Sequence, residues 1–276
     1  MSSGPRPSIM RTITVIIISV LFGLFLTVSL VGPGIYSRNC DASIPYGDGG
    51  PVTWSCPVFD EYGFVSGHAD VMTPTGITED DFKAAFRDRS MPRSCMFDCG
   101  FIVPDCPRGI IENISASVRA CGGDMDSYTD REKCITIQSF ITTGIGYRHD
   151  EDLYGCPDYA ATPTETLYLR MGDCEDVSIL FVSIARAFGI DSTLMILDEH
   201  CMAGVRIEGY EEDADGYSAL ECTSQFKIWG LRTGAEKEIR HVVTDGLPDS
   251  AATAWMRYSN AISDYNPILF ILRMFS

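Results

Sequence analysis

The chain has 276 residues, of which 45% are hydrophobic and 21% are charged, enough for one sizeable domain with a smaller elaboration. Its net charge is −17, and all 38 acidic residues lie after position 37, together with 19 of the 21 basic residues, the other two being Arg6 and Arg11. This acidic balance argues against nucleic acid and anionic lipid as partners, because both would be repelled.

The first element in the chain is an apolar run from Thr12 to Val31, within a stretch that has no charged residue before Arg38. A run of this length is sufficient to cross a bilayer as a helix. Arg6 and Arg11 precede it, which places the N-terminus in the cytoplasm. A cleaved signal peptide is the alternative, but its apolar region is usually shorter and no small-x-small cleavage site follows. We therefore predict a cytoplasmic tail over 1–11, a transmembrane anchor over 12–31, and an exported remainder.

The cysteine content agrees with export. An odd number of cysteines outside the cytoplasm indicates a disulfide framework that leaves one thiol unpaired, and we expect that thiol to be Cys174. The eleven cysteines are Cys40, Cys56, Cys95, Cys99, Cys106, Cys121, Cys134, Cys156, Cys174, Cys201 and Cys222.

The segment 37–107 is rich in Gly, Pro, Asp and Cys, and it reads as short strands and loops held by disulfides. Its one predicted helix starts at Thr78, which forms a capping-box pattern with Asp81. A zinc site formed by Cys95, Cys99 and Cys106 with His68 is a second interpretation, but the spacing matches no known finger. We favour disulfides and expect no metal and no cofactor.

Two helices are predicted next. Apolar residues at helical spacing indicate the first over 109–120, and a Thr129-to-Glu132 capping box opens the second, which Gly144 ends. Cys121 follows the first helix and Cys134 begins the second, so a disulfide across this helical hairpin is a reasonable expectation.

The stretch from Pro163 to Leu180 contains the candidate nucleophile. Cys174 begins a helix that we predict to run to Phe188, with Gly189 as the left-handed residue after its end. A thiol at a helix N-terminus is expected to have a lowered pKa, because the helix dipole stabilises the thiolate. Cys174 has three acidic neighbours, which we interpret as helix-capping residues rather than metal ligands: Asp173, Glu175 and Asp176.

Three strands are predicted after this helix, at 192–197, 202–207 and 217–223. Helices followed by an antiparallel sheet make an α+β fold. His200 stands at the start of a strand, where its ring can face the N-terminus of the Cys174 helix. Glu221 lies on the neighbouring strand and can orient that ring. An isolated Cys or His is usually structural, so the hypothesis of catalysis depends on their order and context.

These residues carry a family resemblance that covers roughly 109 to 224. The region resembles the transglutaminase-like superfamily, which has a papain-like core, and it is most similar to the microbial exported branch. The matching segments are Pro163-Thr-Glu-Thr-Leu167, Gly172-Asp-Cys-Glu-Asp176, His200-Cys-Met-Ala-Gly-Val205 and Leu220-Glu-Cys-Thr223, with Gln138 and Tyr147-x-x-Asp150 upstream.

The resemblance implies a catalytic triad in which Cys174 is the nucleophile, His200 the base and Glu221 the residue that orients the base. The backbone N–H of Cys174, with Gln138 as a candidate, would hold the oxyanion. The chain departs from the family pattern twice: no Trp follows the His, and the acid is Glu where Asp is commoner. Both departures weaken a role in protein cross-linking.

The sequence therefore predicts a membrane-anchored, extracytoplasmic cysteine hydrolase that cleaves an amide or isopeptide bond of a peptide or protein, with cell-envelope substrates among the candidates. A transglutaminase that transfers the acyl group to an amine is one alternative, and a non-catalytic binding ectodomain is another. The predicted catalytic domain spans 108–245, and a C-terminal extension follows over 246–276.

Two finer expectations concern the sheet. Cys201 and Cys222 each follow a triad residue by one position, so their side chains should meet on the face away from the active site. Asp198, two residues before His200, is the competing acid. On an extended strand its side chain would lie along the chain and point outward, so we prefer Glu221.

Overall fold

The computed structural model describes residues 47–87, 103–155, 159–197, 200–209, 213–224 and 239–243. The predicted tail, anchor and C-terminal extension lie outside these ranges, as do Asp198 and four of the cysteines: Cys40, Cys95, Cys99 and Cys156. Among the described residues, no helix is both long enough and apolar enough to span a bilayer.

The N-terminal part of the described chain is a β-hairpin followed by a short helix. Strand β1 (Val52–Phe59) pairs antiparallel with β2 (Val65–Thr73), and α1 covers Glu79–Arg87. The predicted capping interaction at the start of α1 is confirmed, since the Asp81 N–H donates to Thr78 Oγ1 over 3.2 Å.

Five further helices precede the main sheet. They are α2 (Arg108–Ala120), α3 (Asp130–Gly144), α4 (Asp150–Tyr154), α5 (Pro163–Leu169) and α6 (Cys174–Ala187). The capping box of α3 is present as predicted, with the Thr129 side chain accepting from the Glu132 N–H and Glu132 accepting from the Thr129 N–H. Helix α6 ends close to its predicted boundary, and Gly189 follows in the left-handed region with φ of 81°. Local capping boxes specify the starts of α3 and α6, which explains why those boundaries were predictable. Helices α4 and α5 were not predicted from the sequence.

The sheet has four antiparallel strands in the order β7-β6-β5-β8. Its members are β5 (Ser192–Leu197), β6 (His200–Val205), β7 (Ser218–Leu220) and β8 (Ile239–Val242). The sequence placed β6 two residues too late, made β7 too long and missed β8. A parallel pair, β3 (Gly146–Tyr147) with β4 (Met171–Gly172), lies outside this sheet.

Helices and sheet share one large hydrophobic core, which confirms a mixed arrangement of a helical half and an antiparallel sheet. Helix α6 is buried along most of its length and packs on β6 and β5. The N-terminal hairpin joins the same core, because β1 packs on α3 and the Trp54 ring meets Phe140 edge-on at 5.4 Å.

Candidate active site

The residues on either side of Cys174 in the chain hold it at the start of α6. Helix α5 ends at Arg170, which has φ of 54° and turns the chain into β4. Gly172 then leaves room for Asp176, since a Cβ at position 172 would lie 2.6 Å from the Asp176 Cβ. Asp173 is the N-cap of α6 and forms a capping box with Asp176. The interpretation of Asp173 and Asp176 as helix-capping residues is therefore confirmed.

The start of α6 lies against the start of β6. Ser178, one helical turn after Cys174, donates its hydroxyl hydrogen bond to the Cys201 carbonyl over 3.2 Å. The backbone of Cys201 also contacts the Cys174 thiol. This contact brings the helix N-terminus and the first residue of β6, His200, into the same part of the molecule.

His200 and Glu221 are in direct contact. Nε2 of His200 lies 3.0 Å from Oε2 of Glu221, and both side chains are largely buried, with 20% and 16% of their surfaces exposed. Because Nε2 is engaged by the carboxylate, Nδ1 is the ring nitrogen left for a reacting group. The pairing of these two residues, expected from the sequence, is present in the structure.

The carboxylate of Glu221 is kept ionised. Burial alone would raise the pKa of Glu221, but hydrogen bonds from His200 and Thr223 outweigh it and lower that pKa to about 2. The charge opposite the His200 ring therefore persists throughout the neutral pH range.

The thiol of Cys174 has a different partner. Within the described residues it is not hydrogen-bonded to His200; its Sγ instead donates to Oε2 of Glu175 over 3.0 Å. Burial raises the pKa of the Cys174 thiol, and the neighbouring carboxylate of Glu175 raises it further. The expectation of a lowered pKa is wrong for this arrangement, because desolvation and adjacent negative charge exceed the stabilisation that the helix N-terminus offers a thiolate.

Gln138 lies on α3 and is 4% exposed. Its Nε2 donates to the backbone carbonyl of Glu221 over 2.7 Å. The structure thus brings Gln138 to the site, but its amide nitrogen contacts the main chain that carries the acid. The sequence had suggested this residue as an oxyanion donor.

Tyr147 is a site residue to which the sequence gave no role. It lies on β3, beside β4 and the start of α6, and 51% of its surface is exposed. Partial burial raises the pKa of Tyr147 to about 12, and the negative charges of Glu175 and Glu221 contribute. The signal available in the sequence was its place in the Tyr147-x-x-Asp150 match.

Buried carboxylates lie behind the nucleophile. Oxygen atoms of Asp150, Asp173 and Asp176 all lie within 4.8 Å of one another, and Asp173, Cys174 and Glu175 form a second compact group. Burial and the adjacent carboxylates raise the pKa of Asp173 to about 11. Either group is compact enough to hold a cation, although the sequence indicated no metal.

The described cysteines are all free thiols: Cys56, Cys106, Cys121, Cys134, Cys174, Cys201 and Cys222. Cys201 and Cys222 are both buried in the core that contains α6. Burial raises the pKa of the Cys201 thiol, and Cys222 lies close enough to contribute to that pKa. These two cysteines therefore face the nucleophile helix, contrary to our expectation that they face away from the active site.

Comparison with known proteins supports the resemblance. No curated protein sequence matches the chain. The family model of the transglutaminase-like superfamily matches residues 116–211, a segment that contains Gln138, Cys174 and His200 and ends before Glu221. Members of this superfamily are generally enzymes of the cysteine-peptidase-like or acyl-transfer type. The resemblance deduced from the sequence is thus confirmed by a family-model match that is confined to residues 116–211.

Proposed function

We propose that this protein is a membrane-anchored cysteine hydrolase that cleaves an amide or isopeptide bond outside the cytoplasm. The single observation that carries the proposal is the 3.0 Å contact between His200 and Glu221 beside the helix N-terminus that begins with Cys174. A nucleophile, a base and an acid that orients the base are the components of thiol acyl transfer. Peptides or proteins, including those of the cell envelope, are the substrate class, and the anchor over 12–31 is supported by the sequence.

The mechanism begins with transfer of the Cys174 proton to His200 Nδ1. The thiolate attacks the carbonyl carbon, and the backbone N–H of Cys174 at the helix start stabilises the oxyanion. The His200 imidazolium, held by Glu221, then protonates the leaving amine, and the C–N bond breaks to leave a thioester on Cys174. Water, deprotonated by His200, hydrolyses that thioester and restores the thiol.

The experiment uses the full chain in detergent with p-nitrophenyl acetate, an activated ester that reports acylation of a nucleophile. We expect a burst of about one p-nitrophenol per chain, followed by slower turnover, and an acetyl group on the Cys174 peptide. Cys174→Ala should abolish the burst, whereas the matched variant Cys106→Ser should retain it. Absence of the burst from the unaltered protein would favour a non-catalytic binding ectodomain.

Acyl transfer to an amine is the second candidate, and the carboxylate of Glu175 favours it. This group lies 3.0 Å from the Cys174 thiol and would attract a protonated primary amine toward the acyl group, where transfer of a proton to His200 would leave the amine free to attack the thioester. Adding n-butylamine to the acetylated protein distinguishes the two functions. A hydrolase releases acetate at an unchanged rate, whereas a transferase forms N-butylacetamide and turns over faster.

A further inference from the structure

The two carboxylate oxygens of Glu221 have different partners. Oε2 faces Nε2 of His200 at 3.0 Å. Oε1 accepts two hydrogen bonds from Thr223, one from its backbone N–H over 2.8 Å and one from its hydroxyl over 2.6 Å. Two donors on Oε1 fix the plane of the carboxylate, and only Oε2 is presented to the histidine.

The main chain of Glu221 is also held from outside the sheet. Strand β7 ends at Leu220, so Glu221 lies beyond the β-ladder that would otherwise restrain it. Its carbonyl accepts from Nε2 of Gln138, a buried side chain on α3. The residue is therefore anchored at its backbone by Gln138 and at its side chain by Thr223.

We infer that Thr223 is a positioning residue that acts through Glu221, and that Gln138 completes this support by holding the Glu221 main chain. The inference rests on the proposed function, because it assigns a role in the same acyl transfer. Without the Thr223 hydroxyl, the carboxylate keeps only the backbone N–H as a donor on Oε1, and its plane is held less firmly. His200 then loses the fixed acceptor that sets its orientation and tautomer.

Thr223→Val tests the inference, because valine has nearly the same shape, keeps the backbone N–H and lacks the hydroxyl. The rate constant of the p-nitrophenyl acetate burst should fall about 10-fold. Thr223→Ser restores the donor and should bring the rate to within about twofold of the unaltered protein. The matched control is Thr136→Val, which removes a comparable hydroxyl that donates to the Glu132 carbonyl over 2.8 Å and should leave the burst unchanged.

Two further measurements separate positioning from a general structural effect. In the Glu221→Gln background, Thr223→Val should reduce the burst no further, because the two residues act as one unit. The ¹⁵N shifts of the His200 ring should move in Thr223→Val and return in Thr223→Ser, which reports the tautomer directly.

The outcomes are distinguishable. A burst that Thr223→Val leaves unchanged in a folded protein would overturn this inference alone and leave the proposed function standing. Effects of Thr223→Val and Glu221→Gln that multiply would also overturn it, because the threonine would then act independently of the glutamate. No burst in the unaltered protein would overturn the proposed function, and this inference with it.

Discussion

At the scale of single residues, the site combines an ionised acid with a protonated thiol. Glu221 keeps its charge because two residues donate hydrogen bonds to it. Cys174 keeps its proton because it is buried beside Glu175. Proton transfer to His200 therefore has to follow a change around the thiol, such as the arrival of a substrate that displaces the Glu175 carboxylate.

The first residue-scale prediction is that Glu175→Gln makes Cys174 more reactive. The change removes the negatively charged hydrogen-bond acceptor beside the thiol. The pKa of Cys174 should therefore fall, and a larger fraction of the thiol should be present as thiolate. We expect the rate of Cys174 alkylation by iodoacetamide near neutral pH to rise roughly 10-fold, the effect of about one pKa unit. Peptide mapping measures it, with Glu112→Gln, an exposed acid on α2, as control. An unchanged rate would show that burial alone governs the thiol.

The second prediction compares Glu221→Gln with Asp198→Asn. Glutamine keeps the size of Glu221 but removes the charge that stabilises the imidazolium of His200. We expect the burst rate to fall by about 100-fold or more in Glu221→Gln, while thermal unfolding stays close to that of the unaltered protein. Asp198→Asn should reduce the burst rate far less. If the two effects are reversed, Glu221 is not the orienting acid.

At the scale of elements, the close contact between β4 and the first turn of α6 places the nucleophile. Asp176 is fully buried, and its Oδ1 accepts from the Ala161 N–H over 2.6 Å. The same side chain completes the capping box with Asp173. The Gly-Asp-Cys-Glu-Asp pattern therefore serves packing as well as chemistry, since Gly172, Asp173 and Asp176 fix the helix start.

The element-scale prediction is that Gly172→Ala destabilises the protein and slows acylation of Cys174. The added Cβ would lie 2.6 Å from the Asp176 Cβ, and relieving that contact shifts the start of α6. Overpacking of this kind costs about 2 kcal/mol, which lowers the melting temperature by about 5 °C. Gly109→Ala is the matched control, since a Cβ there meets nothing within 4 Å. Equal melting temperatures for the two variants would refute the packing argument.

At the scale of the whole molecule, one large hydrophobic core joins the hairpin, the helices and the sheet, and a smaller cluster is formed by residues of the sheet. One contact in that core corrects a pairing suggested by the sequence. Burial raises the pKa of the Cys56 thiol on β1, and the thiol of Cys121 after α2 lies close enough to raise it further. Cys121 therefore meets the N-terminal hairpin, whereas its position before α3 had suggested Cys134 as its partner.

We predict that Cys56 and Cys121 form a disulfide when the chain matures in an oxidising compartment. Two thiols would lose two protons and two electrons to a disulfide-bearing oxidant, which is reduced to two thiols in exchange. Closing a loop of this length stabilises by about 4 kcal/mol in the chain-entropy account. Peptide mapping of the non-reduced protein should find this disulfide. A reductant should lower the melting temperature of the unaltered protein but not that of Cys56→Ser. A Cys121–Cys134 link would contradict the prediction.

The sequence alone determined the elements whose signals are local. The capping boxes at Thr129 and Asp173 fix helix starts through contacts within four residues, and Gly189 ends α6 through its own backbone freedom. Cys174, His200 and Glu221 could also be identified as candidate site residues, because each lies in a segment that resembles the family pattern.

Only the tertiary structure decided the pKa values of these groups and the residues that they contact. The raised pKa of Cys174 depends on burial. Two contacts join segments that are far apart in the chain: Gln138 with the Glu221 carbonyl, and Cys121 with Cys56. A pKa reflects the sum of desolvation and nearby charges. A hydrogen-bond partner is set by which elements meet, and neither quantity can be obtained from the spacing of residues along a sequence.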